Sequence, residues 1–175
     1  MKKIIAVLSL LSACHLSAGD SGGAIANLQA LPQDYRNGIL KVSADNADPN
    51  PDIWYVTAQS SAKKSGIQNF QLASTQVVSE KPALGLREIF SSAKPIDLSK
   101  VQLDSRDAFD IAQRYALANG KTIGSVSFIL NQQGDSAVPI WSVWCYAPNG
   151  TYLGEMQLLA TDGSVIANDA FPKKP

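Results

Sequence analysis

Two hydrophobic periods divide the second half of the chain. Between residues 104 and 120 apolar side chains recur at three- and four-residue intervals, at Ala108, Ile111, Ala112, Tyr115 and Ala116, the period of an amphipathic helix. Asp104 or Ser105 stands at the N-cap position and Gly120 supplies the stop. From residue 140 the period changes to two. Trp141, Val143 and Cys145 share one face, and Ile140, Ser142, Trp144 and Tyr146 share the other, as in a strand. Turn signals at Pro148-Asn149-Gly150 and Thr161-Asp162-Gly163-Ser164 break the remainder into further strands. The pattern over 104–168 predicts one helix laid across three or four antiparallel strands.

The first half has a similar grammar. Residues 38–45 and 52–59 read as strands separated by the turn-rich stretch 46–51, and 67–80 reads as one long strand or two short ones. A short helix over 25–35 meets an obstacle at Pro32. In 52–59, Trp54, Val56 and Ala58 alternate away from Tyr55. The halves align: Ile39 precedes Ile53 by 14 residues and Val126 precedes Ile140 by 14, both at an offset of 87, while Gln71 and Leu72 answer Gln157 and Leu158 at 86. Trp54, Val56 and Ala58 then answer Trp141, Val143 and Cys145, and this Trp, Val, small stripe is assigned to the helix-facing side. Coincidence within the small alphabet of strand sequences is the alternative. The reading is α+β, as tandem helix-on-antiparallel-sheet units: a first unit at 28–81, a connector at 82–103, a second unit at 104–168 and a tail at 169–175. Neither half is large enough for a generous core, so the two are expected to pack on each other.

The start of the chain reads as an export leader. Lys2 and Lys3 precede the apolar run 4–11, which is too short to span a bilayer and matches the core of a secretory signal. Leu11-Ser12-Ala13-Cys14 resembles the bacterial lipobox, which implies a signal peptide at 1–13, cleavage after Ala13 and a diacylglyceryl anchor on Cys14. Plain cleavage after Ala18 is the competing route and discards Cys14. Both routes predict export. Lipidation adds membrane attachment and, with His15 rather than Asp after the cysteine, the periplasmic side of the outer membrane in a Gram-negative cell. The stretch 14–27 reads as a flexible tether.

Composition narrows the chemistry. The chain carries 15 basic and 15 acidic side chains, and loss of 1–13 leaves 13 against 15, net −2. Such scattered, balanced charge argues against nucleic-acid binding. The two cysteines, Cys14 and Cys145, leave no intramolecular pair after processing. Cys145 reads as a core residue, since the sole histidine, His15, lies beside the processing site. No cofactor, metal or catalytic residue is expected: Asp48 to Asp52 lacks the glycine and distal glutamate of a calcium loop, and the glycine-rich stretch 19–23 lies in the tether rather than between strand and helix. Asp104, Asp107 and Asp110 read as helix-stabilising acids at the start of the helix. Arg87 and Glu88 in the connector, with Glu80, read as solvated charges. Glu155 stands alone among acids inside the second unit's strands.

The aromatics off the Trp, Val, small stripe are the better functional pointer. Tyr55, Trp144 and Tyr146 lie on the second sheet face, which is either buried between the units or exposed as an interaction face. The second unit resembles the PepSY-like domains of exported bacterial proteins through Asp-Ser-Arg-Asp-Ala-Phe-Asp-Ile-Ala-Gln at 104–113, Pro-Ile-Trp-Ser-Val at 139–143 and Gly-Ser-Val-Ile at 163–166. The first unit matches as a degenerate copy at 52–56 and 76–78. The resemblance implies a small PepSY/cystatin-like α+β domain that binds or modulates another protein without being a catalyst. The expectation is a non-enzymatic envelope protein with a membrane anchor and a protein partner. The alternatives are a structural lipoprotein subunit of an envelope complex and, less favoured, a hydrolase.

Overall fold

The computed structural model describes residues 23–47, 50–62, 66–83, 93–132 and 138–175. The leader at 1–13, Cys14, His15, Asp48, Arg87 and Glu88 lie outside the described residues. Helices α1 (Ala24–Leu28) and α2 (Gln33–Arg36) come first, with Pro32 as the N-cap of the second. Strands β1 (Ile39–Ala47), β2 (Trp54–Gln59), β3 (Ile67–Ala73) and β4 (Gln76–Pro82) follow. A 3-10 turn (Leu98–Lys100) leads to helix α3 (Ser105–Ala118) and strands β5 (Ser125–Asn131), β6 (Ile140–Tyr146), β7 (Tyr152–Leu159) and β8 (Val165–Asn168). The run from 67 to 80 resolves into two strands, because Ser74 and Thr75 both take positive φ, 48° and 60°, the geometry of a two-residue hairpin turn.

The eight strands of the described residues form one open antiparallel sheet in the order β4-β3-β2-β1-β5-β6-β7-β8. The two meanders meet edge to edge, with Val42 opposite Leu130 and Ser43 opposite Ile129. The halves pack on each other, but side by side through β1 and β5 and not with the second sheet face buried between them. Pairing β1 with β5 satisfies the backbone of two strands that would otherwise be exposed edges, and it places both apolar faces on the same side, where one core serves both.

The registers on either side of that junction correspond. Trp54 lies opposite Leu72 and Val56 opposite Phe70; Trp141 lies opposite Leu158 and Val143 opposite Met156. Ile39 faces Ala58 as Val126 faces Cys145, and Val42 faces Val56 as Phe128 faces Val143. A bulge in β1 between Ile39 and Lys41 absorbs the one-residue difference between these two pairs of positions.

The core lies between this sheet face and the helices. Trp54, Phe128 and Trp141 are fully buried at its centre, with ring centroids 6.0 to 6.4 Å apart, and the Trp141 indole N–H donates to the Leu103 carbonyl at 3.0 Å. Helix α3 presses Ala108, Phe109, Ala112 and Ala116 into the core and packs against β6, while α1 and α2 cover β3 and β2. It ends as the sequence predicts, with Gly120 at φ 63° and the Lys121 N–H donating to the Ala116 carbonyl.

Two boundaries move. Residues 23–27 belong to the fold rather than to the tether, and the first unit begins with α1: Ala24 and Asn27 are buried, the Ala24 N–H donates to Ser105 Oγ, and the Ile25 N–H donates to both oxygens of Asp104. The first meander is covered by two short helices in place of one. At the other end, Ala170 and Phe171 of the tail are core residues. Gly154 makes room for them, since a Cβ there would stand 2.5 Å from Ala170 Cα and its φ is 130°.

Candidate functional site

The two halves share one sheet and one core, and Tyr55, Trp144 and Tyr152 are exposed on the other sheet face, so the sequence-predicted aromatics are not buried between two units. The centre of that face is polar. Gln71, Tyr55, Ser43, Ile129, Ser142 and Gln157 stand side by side across six strands. Ser43, Ser127 and Ser142 are only 5–7% exposed; these short side chains form a floor between taller neighbours.

Trp144 and Tyr146 rise from β6 at one side of this floor, and Tyr152 joins them from β7. The Tyr152 ring centroid is 6.4 Å from that of Trp144 and 5.6 Å from that of Tyr146, at interplanar angles of 67° and 53°. Trp144 is 38% exposed and Tyr152 51%. Tyr55 is not part of the cluster. It stands on β2, three strands away and therefore about 14 Å off across the sheet, beside exposed Ile53 at an open cleft of about 360 Å³ lined by Asp45, Asn46, Pro51 and Asp52. The candidate face of Tyr55, Trp144 and Tyr146 thus separates into two places. Tyr152 was legible in principle: the Asn149-Gly150 turn folds position 152 back opposite Tyr146.

Two carboxylates flank the cluster. Glu155 is directly opposite Trp144, and the Asp169 carboxylate accepts the Glu155 N–H. Glu155 Oε1 accepts from Gln157 Nε2 at 3.0 Å. No Lys or Arg pairs with either acid among the described residues. Partial withdrawal from water, then the negative charges of Asp169 and Glu155, push the Tyr152 phenol above its ordinary pKa. A shallow cup of about 210 Å³ is lined by Glu155, Gln157, Ala167, Asn168 and Asp169, and Glu155 links it to Trp144, its partner across the strand pair.

Other sequence-nominated groups have structural duties. Asp104 and Asp107 form a reciprocal capping box on α3, and Asp110 and Glu80 are exposed. Among the described residues no group of three or more His, Cys, Asp and Glu side chains is placed to hold a metal, and no helix is long and apolar enough to cross a membrane. Cys145 is fully buried, as the sequence stripe predicts. Burial, reinforced by the charge of Asp169, pushes its thiol up to about 12. With Cys14 replaced by serine, Cys145 is expected to react with a water-soluble disulfide reagent at pH 8 only as fast as the protein unfolds; rapid labelling of the native protein would contradict this. Folding holds this thiol protonated, so the unfolded chain releases its proton first. Stability therefore falls as pH rises from the ordinary 9.0 towards about 12, by up to about 1.4 kcal/mol per pH unit, and Cys145→Ala should remove that component of the alkaline loss.

Protein-family models, curated proteins and solved structures were each compared with the chain, and none of the three comparisons finds a match.

Proposed function

We propose that this is a non-enzymatic, exported envelope protein, anchored by lipid at Cys14, that binds another protein through the sheet face that carries Trp144. The observation that carries the reading is the cluster of Trp144, Tyr146 and Tyr152 on that face, because Trp and Tyr exposed together on a rigid sheet are typical interface anchors. The leader and lipobox of the sequence support export and anchoring, and the PepSY-like motifs support protein binding. The matched registers of β2–β3 and β6–β7 support the finer description of the sheet as two copies of one PepSY/cystatin-like unit. In a Gram-negative host the proposed location is the periplasmic side of the outer membrane.

A second reading, a structural subunit of an envelope complex, is favoured by the edge strand β4. Most of it is exposed, including Val77 and Val78, and it ends the strand order of the described residues, the position at which strand addition occurs. Cross-linking pull-downs from envelope extract separate the two. Trp144→Ala should leave stability within about 1 kcal/mol of wild type, as for a half-exposed residue, while abolishing recovery of the partner. A partner recovered equally by Trp144→Ala but lost when proline replaces Val78 would transfer the function to the edge.

A further inference from the structure

The cluster on β6 and β7 has a definite charge character as well as an apolar one. Trp144, Tyr146 and Tyr152 meet at large mutual angles, and Trp144 and Tyr152 keep ring surface exposed to solvent. Glu155 lies across the strand pair from Trp144, with Cβ atoms about 5 Å apart in such a pair, and Asp169 lies beside Glu155. The cup that these acids line therefore carries two negative charges with no cationic partner among the described residues. A neutral ligand would leave those charges unused, and an anion would be repelled. A cation gains from both kinds of group, attracted by the ring quadrupoles and by the carboxylates.

We infer that Trp144, Tyr146, Tyr152, Glu155 and Asp169 form a receptor for one arginine side chain presented by the protein partner. This rests on the proposed role of that sheet face in protein binding. Arginine fits better than lysine because its planar, weakly hydrated guanidinium stacks on an indole while its edge donors reach carboxylates. The receptor supplies acceptors and ring faces, and the partner supplies all the donors. Association of the two proteins should accordingly weaken with rising salt.

The test is an NMR titration of the purified protein, labelled with nitrogen-15, with acetyl-Gly-Arg-Gly-amide and with the same peptide carrying citrulline in place of arginine. The arginine peptide should produce a saturable shift of the Trp144 indole resonance with a dissociation constant in the millimolar range. The citrulline peptide, which keeps the shape and loses the charge, should produce none. Combined Glu155→Gln and Asp169→Asn substitutions preserve the acceptors for Gln157 and for the Glu155 N–H, and should weaken arginine binding at least about threefold, the scale of an exposed charge contact. Unchanged thermal unfolding would confirm that this variant is folded. Equal binding of citrulline, equal binding by the charge-neutral variant, or no saturable shift at Trp144 would overturn the receptor. Pull-down separates this from failure of the broader reading: a partner lost with Trp144→Ala but retained by the charge-neutral variant refutes the arginine receptor and leaves the face, whereas a partner retained by Trp144→Ala refutes the face.

Discussion

Trp141→Ala is expected to destabilise the fold by about 3–5 kcal/mol, the range for emptying a fully buried large aromatic site. Trp141 has no solvent exposure and packs edge-on against Trp54 at 6.4 Å and Phe128 at 6.0 Å. Truncation opens a cavity where the two meanders share their core, and it leaves the Leu103 carbonyl without the indole donor. Neither loss is readily repaired, because the surrounding side chains belong to strands whose registers are set by pairing on both sides. Against a typical total of about 5–15 kcal/mol, this change places much of the population at the edge of unfolding. Trp54→Ala should be comparable, and the double variant should fall short of the sum of the two by roughly 0.5–1.5 kcal/mol, since each indole loses part of its packing when the other is removed. Urea unfolding followed by far-ultraviolet circular dichroism measures all three. A loss below about 1.5 kcal/mol for Trp141→Ala would mean that the site collapses or refills with little cost, contrary to a tightly shared core.

Asp104→Ala is the second large effect, at about 2–3 kcal/mol, more than an ordinary N-cap residue provides. This carboxylate serves two helices. It accepts from the first turn of α3, where Asp107 reciprocates by accepting the Asp104 N–H at 2.9 Å, and it accepts the Ile25 N–H at the start of α1 at 3.3 Å through both oxygens. Two helix N-termini, each with unsatisfied N–H groups and a partial positive charge, converge on one anion. Gly23 permits the approach, because a Cβ there would come 2.4 Å from Asp104 Oδ2. Asp104→Asn keeps an acceptor but loses the charge, and should cost about 1 kcal/mol. Amide hydrogen exchange supplies the distinguishing readout: in Asp104→Ala, protection should fall in α1 as well as in the first turn of α3. If only α3 responds, the contact to α1 contributes nothing to stability.

Most of the local architecture was legible in the sequence. The change from a period of 3.6 to a period of two marks where α3 gives way to strands, and the alternation of Trp54, Val56 and Ala58, matched by Trp141, Val143 and Cys145, identifies the buried face of both meanders. These features are readable because side-chain direction is dictated by local backbone geometry, and a half-buried strand must keep its apolar residues on one side. The aromatic positions Tyr55, Trp144 and Tyr146 were likewise legible as members of the opposite face. Whether that face is open or hidden was not, because it depends on how β1 meets β5. Strand pairing is made by N–H and C=O groups that nearly every residue carries, so strand sequences leave the neighbour of an edge unspecified. The split between Tyr55 and the Trp144 cluster follows from the same choice, since two central strands now lie between them.

The helix-terminal and tail contacts belong to the same class. Asp104 reads as the cap of α3 from its immediate neighbours, but its service to α1 joins residues 79 apart, and no local pattern encodes that. Phe171 looks like part of a polar tail until the fold buries it beneath Lys121, whose ammonium lies 5.6 Å from the ring centroid and donates to the Ala170 carbonyl at 3.1 Å. Periodicity, with short-range capping and turn chemistry, is enough to specify the kind of each major element and its buried side. Folding settled the rest: the halves share one sheet and one core, a single carboxylate holds two helix starts, and Asp169 is brought beside Glu155 and the aromatics of the β6–β7 hairpin. Each of these is a contact between distant segments, selected by the joint burial of apolar surface and the satisfaction of backbone groups across the whole molecule.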